Sequence, residues 1–523
     1  MTEGAASKPR ASRIPFVALL LAGSVLTSRL LGVVREMVLA AQLGAGAEVD
    51  AYRAAFQLPD LLNHFLAGGA LSLAFVPFYT RKREQYGQEA AEELLAKVLG
   101  NMTLLAIVAS AALWWWAEEI AALLFDFPPE TQALTVRLTR IVLPAQIFFV
   151  AGGILRAALM AHDRFRTQAL APVLYNAGII IGGVGFGARF GAEGFIWGAL
   201  VGAGVGTFLV PLADAIHSRK FRVRLRVSLL DRDFGRYLWI ATPLMLSLTL
   251  FVVDEWYERI FGARIGEGVV AQLGYARMLA FAPVAVIGQA VATAALPALS
   301  QLWNEGRGEE LDRVLQRTLQ AALSLSCLAA GVLIVLAEPI VVVLFERGAF
   351  TADHTLGVAS YLRILAAAIP ALVAQQIAAR GFFARSDMWR PMLLGTAVAF
   401  AVVPVYLEFG RRFAGEGLAA AGAMGMSVSA ALTLLLLRRV HGGPSLLPIV
   451  STLLRSSGVA ALGAGAAWGA VQLLAVSGRA SLVVGILVYA IISIPGAYWV
   501  GDEVMRETLS RLLARLRRGG GRG

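Results

Sequence analysis

Arg29 and Arg35 stand in the segment LTSRLLGVVREMV, with Glu36 beside the second. Six helical residues would separate the two guanidiniums by about 9 Å along the axis. Guanidinium groups stay charged and bind phosphate oxygens through paired hydrogen bonds, so this spacing suits one extended polyanion. The competing reading pairs Arg35 with a neighbouring carboxylate for structure. Further on, Arg53, Gln57, Asp60 and His64 follow steps of four, three and four, which predicts one polar helical face. Pro59 interrupts backbone pairing there, and Gly68 and Gly69 soften the run further. Asp254, Glu255, Glu258 and Arg259 cluster later, followed by Arg277. Asp254 or Glu255 could bind a coupling cation or balance the arginines, with structural pairing the equal alternative. His64 has no companion histidine, so a metal is not expected on it. No HExxH, GxSxG or cluster of catalytic carboxylates occurs, and the GAGVG at 202–206 has neither a preceding strand nor a following Lys. An enzyme is not expected.

The surroundings make these residues informative. Of 523 residues, 58% are hydrophobic and only 15% charged, against roughly 25% charged in soluble domains. With a mean hydropathy of +0.69, lipid is the natural solvent. Ionisable groups at bilayer depth are costly unless they face a bundle interior or a wet cavity, so each is a candidate functional group.

Fourteen apolar runs are long enough to span, at about 20 residues each. They lie near 14–43, 51–80, 94–116, 133–161, 168–188, 194–216, 236–261, 269–303, 312–336, 355–383, 388–409, 416–438, 450–474 and 481–500. Basic residues alternate between connections: Lys8, Arg10 and Arg13, then Arg81 to Arg83, Arg164 and Arg166, and Arg219 to Arg226 mark one side. This places both termini in the cytoplasm. Arg411 and Arg412 are the main exception. The start resembles a signal peptide, but its apolar run continues without a clean cleavage site and reads as the first spanning helix.

The formal charge of +11 is spread over short topogenic blocks rather than a stripe with interleaved aromatics, so nucleic acid is not an expected partner. Trp114 to Trp116 read as an outer-interface anchor. The tail RETLSRLLARLRRGGGRG reads as an amphipathic stretch on anionic inner-leaflet lipid or, equally, a solvated end. The single Cys327 permits no intramolecular disulfide.

Features return about 220 residues apart. Ala70, Ala74 and Pro77 reappear as Ala290, Ala294 and Pro297, Leu124 and Phe125 as Leu344 and Phe345, and Pro172 as Pro391. Such self-similarity marks transporters built from two halves. The expected fold is all-α and polytopic, with two six-helix lobes and a terminal pair. Its divisions are a first lobe at 1–216, a basic linker at 217–236, a second lobe at 237–440, and the last helix pair and tail at 441–523.

The segment from Ser28 to Tyr79, SRLLGVVREMVLAAQLGAGAEVDAYRAAFQLPDLLNHFLAGGALSLAFVPFY, resembles the opening of the MurJ (MviN) family of lipid II flippases. Tyr275 to Ser300 and Ala161 to Asn176 extend the resemblance. It implies transport of undecaprenyl-diphosphate-linked disaccharide-pentapeptide to the outer leaflet of the bacterial inner membrane, for peptidoglycan synthesis. It also carries the SRxxGxxR arginines onto Arg29 and Arg35 and an acidic residue onto Asp50. Where the family reads LLRRxFAEGAF, this chain reads LLNHFLAGGAL, putting Asn63 and His64 at the arginine pair and Gly68 at the glutamate. YADRL becomes YARML, with Arg277 one residue before the usual arginine. A sodium site known in some members matches Asp254, without its eleventh-helix polar partners.

The expected substrate-binding set is Arg29, Arg35, Arg53, Asp60, Asn63, His64 and Arg277. Glu36, Asp50, Gly68 and Gly69 serve gating or charge balance, and Asp254 or Glu255 takes any coupling cation. No organic cofactor is expected; Na+ or the membrane potential would drive transport through a monomer. Three rivals remain: a flippase for another polyprenyl-linked glycan, a drug or small-molecule antiporter of the same superfamily, and a membrane-bound enzyme or scaffold acting on polyprenyl lipids.

Overall fold

The computed structural model describes residues 14–66, 70–245, 250–476 and 478–500, together with 503, 504, 506, 507 and 510. Gly68, Gly69 and the tail from 511 lie outside the described residues. The chain divides into two compact units, Met1–Leu246 and Ser247–Gly523.

The first unit contains α1 (Ile14–Leu43), α2 (Ala47–Ala55), α3 (Gln57–Leu66), α4 (Ala70–Trp115), α5 (Ala117–Leu124), α6 (Pro129–Val142), α7 (Ala145–Ala161), α8 (Arg166–Phe190), α9 (Ala192–Gly202), a π-helical turn at Ala203–Leu209, α10 (Val210–Ser218) and α11 (Arg232–Met245). The second contains α12 (Leu250–Gly262), α13 (Val269–Pro283), a second π-helical turn at Val284–Gln289, α14 (Ala290–Asn304), α15 (Gly308–Val335), α16 (Ala337–Leu344), α17 (Ala352–Ala367), α18 (Ile369–Ala384), α19 (Trp389–Ala401), α20 (Val403–His441), α21 (Leu446–Leu473) and α22 (Gly478–Val500). The fold is all-α and polytopic. Among the described residues nine helical stretches are long and apolar enough to cross a membrane, or ten with the bent pair α17 and α18.

Several apolar runs are broken, and proline explains where. A proline ring collides with the carbonyl four residues earlier and lacks an N–H, but is tolerated in a first turn. Pro59 therefore ends α2 at Ala55 and sits in the first turn of α3. Pro144 separates α6 from α7, and Pro370 opens α18. The polar stripe from Arg53 to His64, read from sequence as one helical face, is thus divided, with Arg53 on α2 and Gln57, Asp60 and His64 on α3.

The division between units also falls later than the sequence suggested. Phe234, Tyr237 and Ala241 of α11 are buried in one core with Phe75 and Tyr79 of α4. Lys82 and Lys97 hold Asp233 and Asp231 at 3.0 and 2.7 Å. Residues 237–245, assigned from sequence to the second lobe, consequently pack with the first, while α12 packs with α20 in the second. The seventh apolar run contributes to both units.

The duplication is visible in backbone geometry. Gly191 (φ 55°, ψ −135°) and Ala414 (φ 50°, ψ −133°) adopt the same unusual conformation, and Asp163 and Ser386 share φ 59°; both pairs lie 223 positions apart.

The glycine ladder Gly194, Gly198, Gly202 and Gly206 brings α9 and the π turn against α8. A Cβ on Gly198 would stand 2.4 Å from the Gly178 carbonyl oxygen, and one on Gly182 2.4 Å from that of Gly194. Gly198→Ala is therefore expected to lower stability by about 1–3 kcal/mol, seen as a reduced unfolding temperature in detergent. An unchanged temperature would mean that the helices can separate without loss.

At the end of α7, His162 stacks on Phe221 and lies 3.0 Å from the Tyr79 hydroxyl and 3.2 Å from Arg83 Nη1. The guanidinium donates to Nδ1, so Nε2 carries the proton of a neutral ring. Burial first, then Arg83 and Lys220, hold its pKa below the ordinary 6.5. A depressed folded pKa means that the unfolded chain binds the proton more tightly. This contribution to stability is present above 6.5 and is lost as pH falls through the folded value. Thermal unfolding across that window is expected to show the loss in the parent and a flatter profile in His162→Gln.

Candidate functional site

Glu36 on α1 is 4% exposed and is shared by two arginines. Arg35 Nη2 donates to Oε1 at 2.8 Å and Arg53 Nη2, from α2, donates to Oε2 at 2.7 Å. Arg35 Nη1 also donates to Asn176 Oδ1 at 3.1 Å, while the Asn176 amide donates to Ser28 Oγ at 3.2 Å and to the Pro172 carbonyl at 3.0 Å. These bonds fix the orientation of the Arg35 fork from α8. Tyr52 and Tyr175 lie within electrostatic range of Arg35, and Asp60 within range of Tyr175. Counted over these three side chains alone the charge is +1, and Arg53 makes a further contact beyond Glu36. Their side chains keep 27% and 14% exposure, against 5% for Glu36, so the cations rather than the carboxylate remain reachable.

The structure thus brings Arg35, Glu36 and Arg53 together. Arg29 is exposed on α1, Asp50 is fully buried on α2, and Asp60, Asn63 and His64 are half-buried on α3. Sequence reasoning missed Asn176 as the positioning partner of Arg35, although it closes the segment Ala161 to Asn176 that carried part of the resemblance.

In the second unit Arg277 is 6% exposed. Its Nε donates to Glu258 at 2.6 Å and its Nη2 to Asp254, while Arg259 pairs with Glu255 one turn along α12. Arg277 is therefore engaged by carboxylates of its own unit rather than presented as a spare cation. Among the described residues, Asp254 Oδ1, Glu258 Oε1 and the Tyr406 hydroxyl are buried without hydrogen-bond partners. Gly422 of α20 faces two of them: a Cβ there would stand 2.8 Å from Asp254 Oδ1 and 3.0 Å from the Tyr406 hydroxyl.

A sodium ion at this donor set would have to share it with Arg277. A tethered guanidinium already lies against both carboxylates, and like charges in a buried site repel strongly. Replacing Na+ by K+ is accordingly expected to leave both the unfolding temperature and transport unchanged. A Na+-specific rise in either would show that an ion displaces or joins Arg277.

Solved transporters share this architecture. A structure described as "Lipid II flippase MurJ, inward closed conformation" matches with a TM-score of 0.76 at 22% identity, covering 91% of this chain and 98% of that one. An inward-facing multidrug resistance MATE transporter of the MOP superfamily matches with a TM-score of 0.67 at 16% identity, covering 82% and 98%. These likenesses define the class of fold, an all-α polytopic membrane architecture.

The sequence comparisons narrow this class. The family profile "Lipid II flippase MurJ" matches residues 39–489. A probable lipid II flippase MurJ of Rhizobium meliloti (strain 1021) is 30% identical over 464 residues, 87% of this chain and 86% of the relative. The lipid II flippase MurJ of Burkholderia cenocepacia is 28% identical over 393 residues, covering 73% and 75%. The chain belongs to the MurJ family.

Proposed function

We propose that this protein flips lipid II, the undecaprenyl-diphosphate-linked peptidoglycan precursor, from the inner to the outer leaflet by alternating access. The observation that carries the reading is the Arg35–Glu36–Arg53 trio, a buried cluster of two arginines on one carboxylate in a MurJ-family chain. The diphosphate docks on the accessible edges of the two guanidiniums, with Arg29 nearby on the same helix, while the polyprenyl tail stays in lipid. Release requires weaker contacts in the outward state, because a ligand bound equally in both states shifts nothing. A membrane potential negative inside favours outward movement of an anionic headgroup. Asp60, Asn63 and His64 contact the sugar or peptide portion, and Asp50 with Glu36 balances charge. Arg277, Asp254 and Glu258 form a buried ion-pair cluster of the second unit rather than a substrate contact.

The protein acts as a monomer in the bacterial inner membrane with both termini cytoplasmic, and transport involves no covalent chemistry. A second reading, a flippase for another polyprenyl-linked glycan, is favoured by Asn63, His64 and Met278 at positions where the family motif has arginines. Complementation decides between them. Restored growth of a strain depleted of its lipid II flippase supports lipid II; failure despite normal insertion and abundance overturns it.

A further inference from the structure

Arg411 and Arg412 break the alternation of basic connections, and arginines on the external side oppose the orientation signal. Arg412 pairs with Glu408 one turn back. Arg411 instead lines a cavity of about 450 Å³ together with Arg264, Phe261, Tyr406, Leu407 and Leu418. Among the described residues no carboxylate lines it, and neither Arg264 nor Arg411 has an ion-pair partner. The Arg264 guanidinium lies 5.8 Å over the Phe261 ring. Arg264 follows the seventh apolar run and Arg411 the eleventh, two connections that share the external side of the alternation.

The turn presenting Arg411 is held rigidly. Ala414 takes a positive φ of 50°. A Cβ on Gly415 would meet the Tyr361 hydroxyl at 2.0 Å, and one on Gly417 the Phe409 carbonyl oxygen at 2.0 Å. The duplicated first unit provides an internal control. Its equivalent turn at Gly191 is capped by Glu48, which accepts from the Ala192 N–H at 2.6 Å, and the neighbouring Glu193 pairs with Arg137. The second copy keeps the acidic position as the exposed Glu416, which does not line the cavity, and carries Arg411 where the first copy has Ala188, so two guanidiniums face one cavity.

We propose that Arg264 and Arg411 form an external anion site that receives the diphosphate of the transported lipid after it leaves the inner side. The site deepens and rests on the lipid II reading. Two forked cations match a doubly charged group with several acceptor oxygens. The apolar walls contributed by Phe261, Leu407 and Leu418 suit the first isoprene units beside it.

The test uses the full-length protein in vesicles of phosphatidylcholine, oriented with this face outward, and a membrane-impermeant arginine-directed dicarbonyl read out by mass spectrometry. External pyrophosphate at about ten times its dissociation constant is expected to slow modification of Arg264 and Arg411 about tenfold, leaving Arg412 unaffected. Equal rates with and without pyrophosphate overturn the site. Equal protection by phosphatidylglycerol in the bilayer, without pyrophosphate, also overturns the proposal and makes the pocket a phospholipid site. Failed complementation with protection intact removes the lipid II assignment alone. Lost protection with complementation intact removes the external site alone.

Discussion

Arg53→Ala and Arg35→Ala are each expected to lower flipping of a diphosphate-linked lipid in proteoliposomes by about tenfold to a hundredfold. The reason is the charge count at Glu36. With either arginine gone, the carboxylate and the remaining guanidinium neutralise one another, and the surplus cation that meets the diphosphate disappears. A hydrogen bond to a charged group contributes about 1.5–3 kcal/mol, which sets the size of the effect. Arg53→Lys retains charge but loses the planar fork and should fall between the parent and Ala. Removing both arginines alone would strand a buried Glu36, so the informative multiple variant is Arg35→Gln, Arg53→Gln and Glu36→Gln, which stays neutral and foldable while abolishing transport. Parental flipping by that variant, at equal abundance, would remove the trio from the mechanism.

The second large effect concerns stability. Arg277→Ala leaves Asp254 and Glu258, with side chains only 0% and 4% exposed, without their cation. Breaking a buried ion pair by removing one partner costs about 3–5 kcal/mol, which should appear as a sharply lower unfolding temperature. Neutralising the whole triad at once, as Arg277→Met, Asp254→Asn and Glu258→Gln, removes the stranded charges and should recover most of that loss. Transport then separates two roles. Recovery of flipping with stability marks the triad as structural, whereas stable protein without flipping marks Arg277 as part of substrate handling or of the conformational change.

The fold was legible because lipid imposes a strong constraint: long apolar runs and alternating basic connections indicated fourteen helices, and the 223-residue correspondence of Gly191 with Ala414 supports the duplication behind them. Breaks within runs were less legible. Pro59 signalled a weakness, but that it ends α2 at Ala55 and begins a new helix depends on how the two pieces pack, α2 against α6 and α3 against α4 and α7. The place of α11 was hidden for a similar reason. Its apolar composition matches either unit, and the deciding contacts, Lys82 with Asp233 and Phe75 with Tyr237, join residues more than 150 positions apart.

The candidate site was legible in its residue types and less so in its pairings. Sequence set Glu36 beside Arg35 and offered pairing with a neighbouring carboxylate as the competing reading, but it placed Arg53 apart from both, and only the turn from α1 into α2 brings Arg53 onto Glu36. Arg277 illustrates the opposite outcome. Its position suggested a substrate cation, yet α12 supplies both Asp254 and Glu258 on the face that meets it, and the guanidinium bonds to one oxygen of each within its own unit.

The most direct test of the central claim is equilibrium binding of lipid II to the full-length protein in nanodiscs across a charge series at one site. Affinity should rise in the order Arg53→Gln, parent, Glu36→Gln, as the surplus positive charge of the trio grows, and should weaken with added salt throughout. Equal affinity across the three proteins, each folded and equally abundant, would contradict the account.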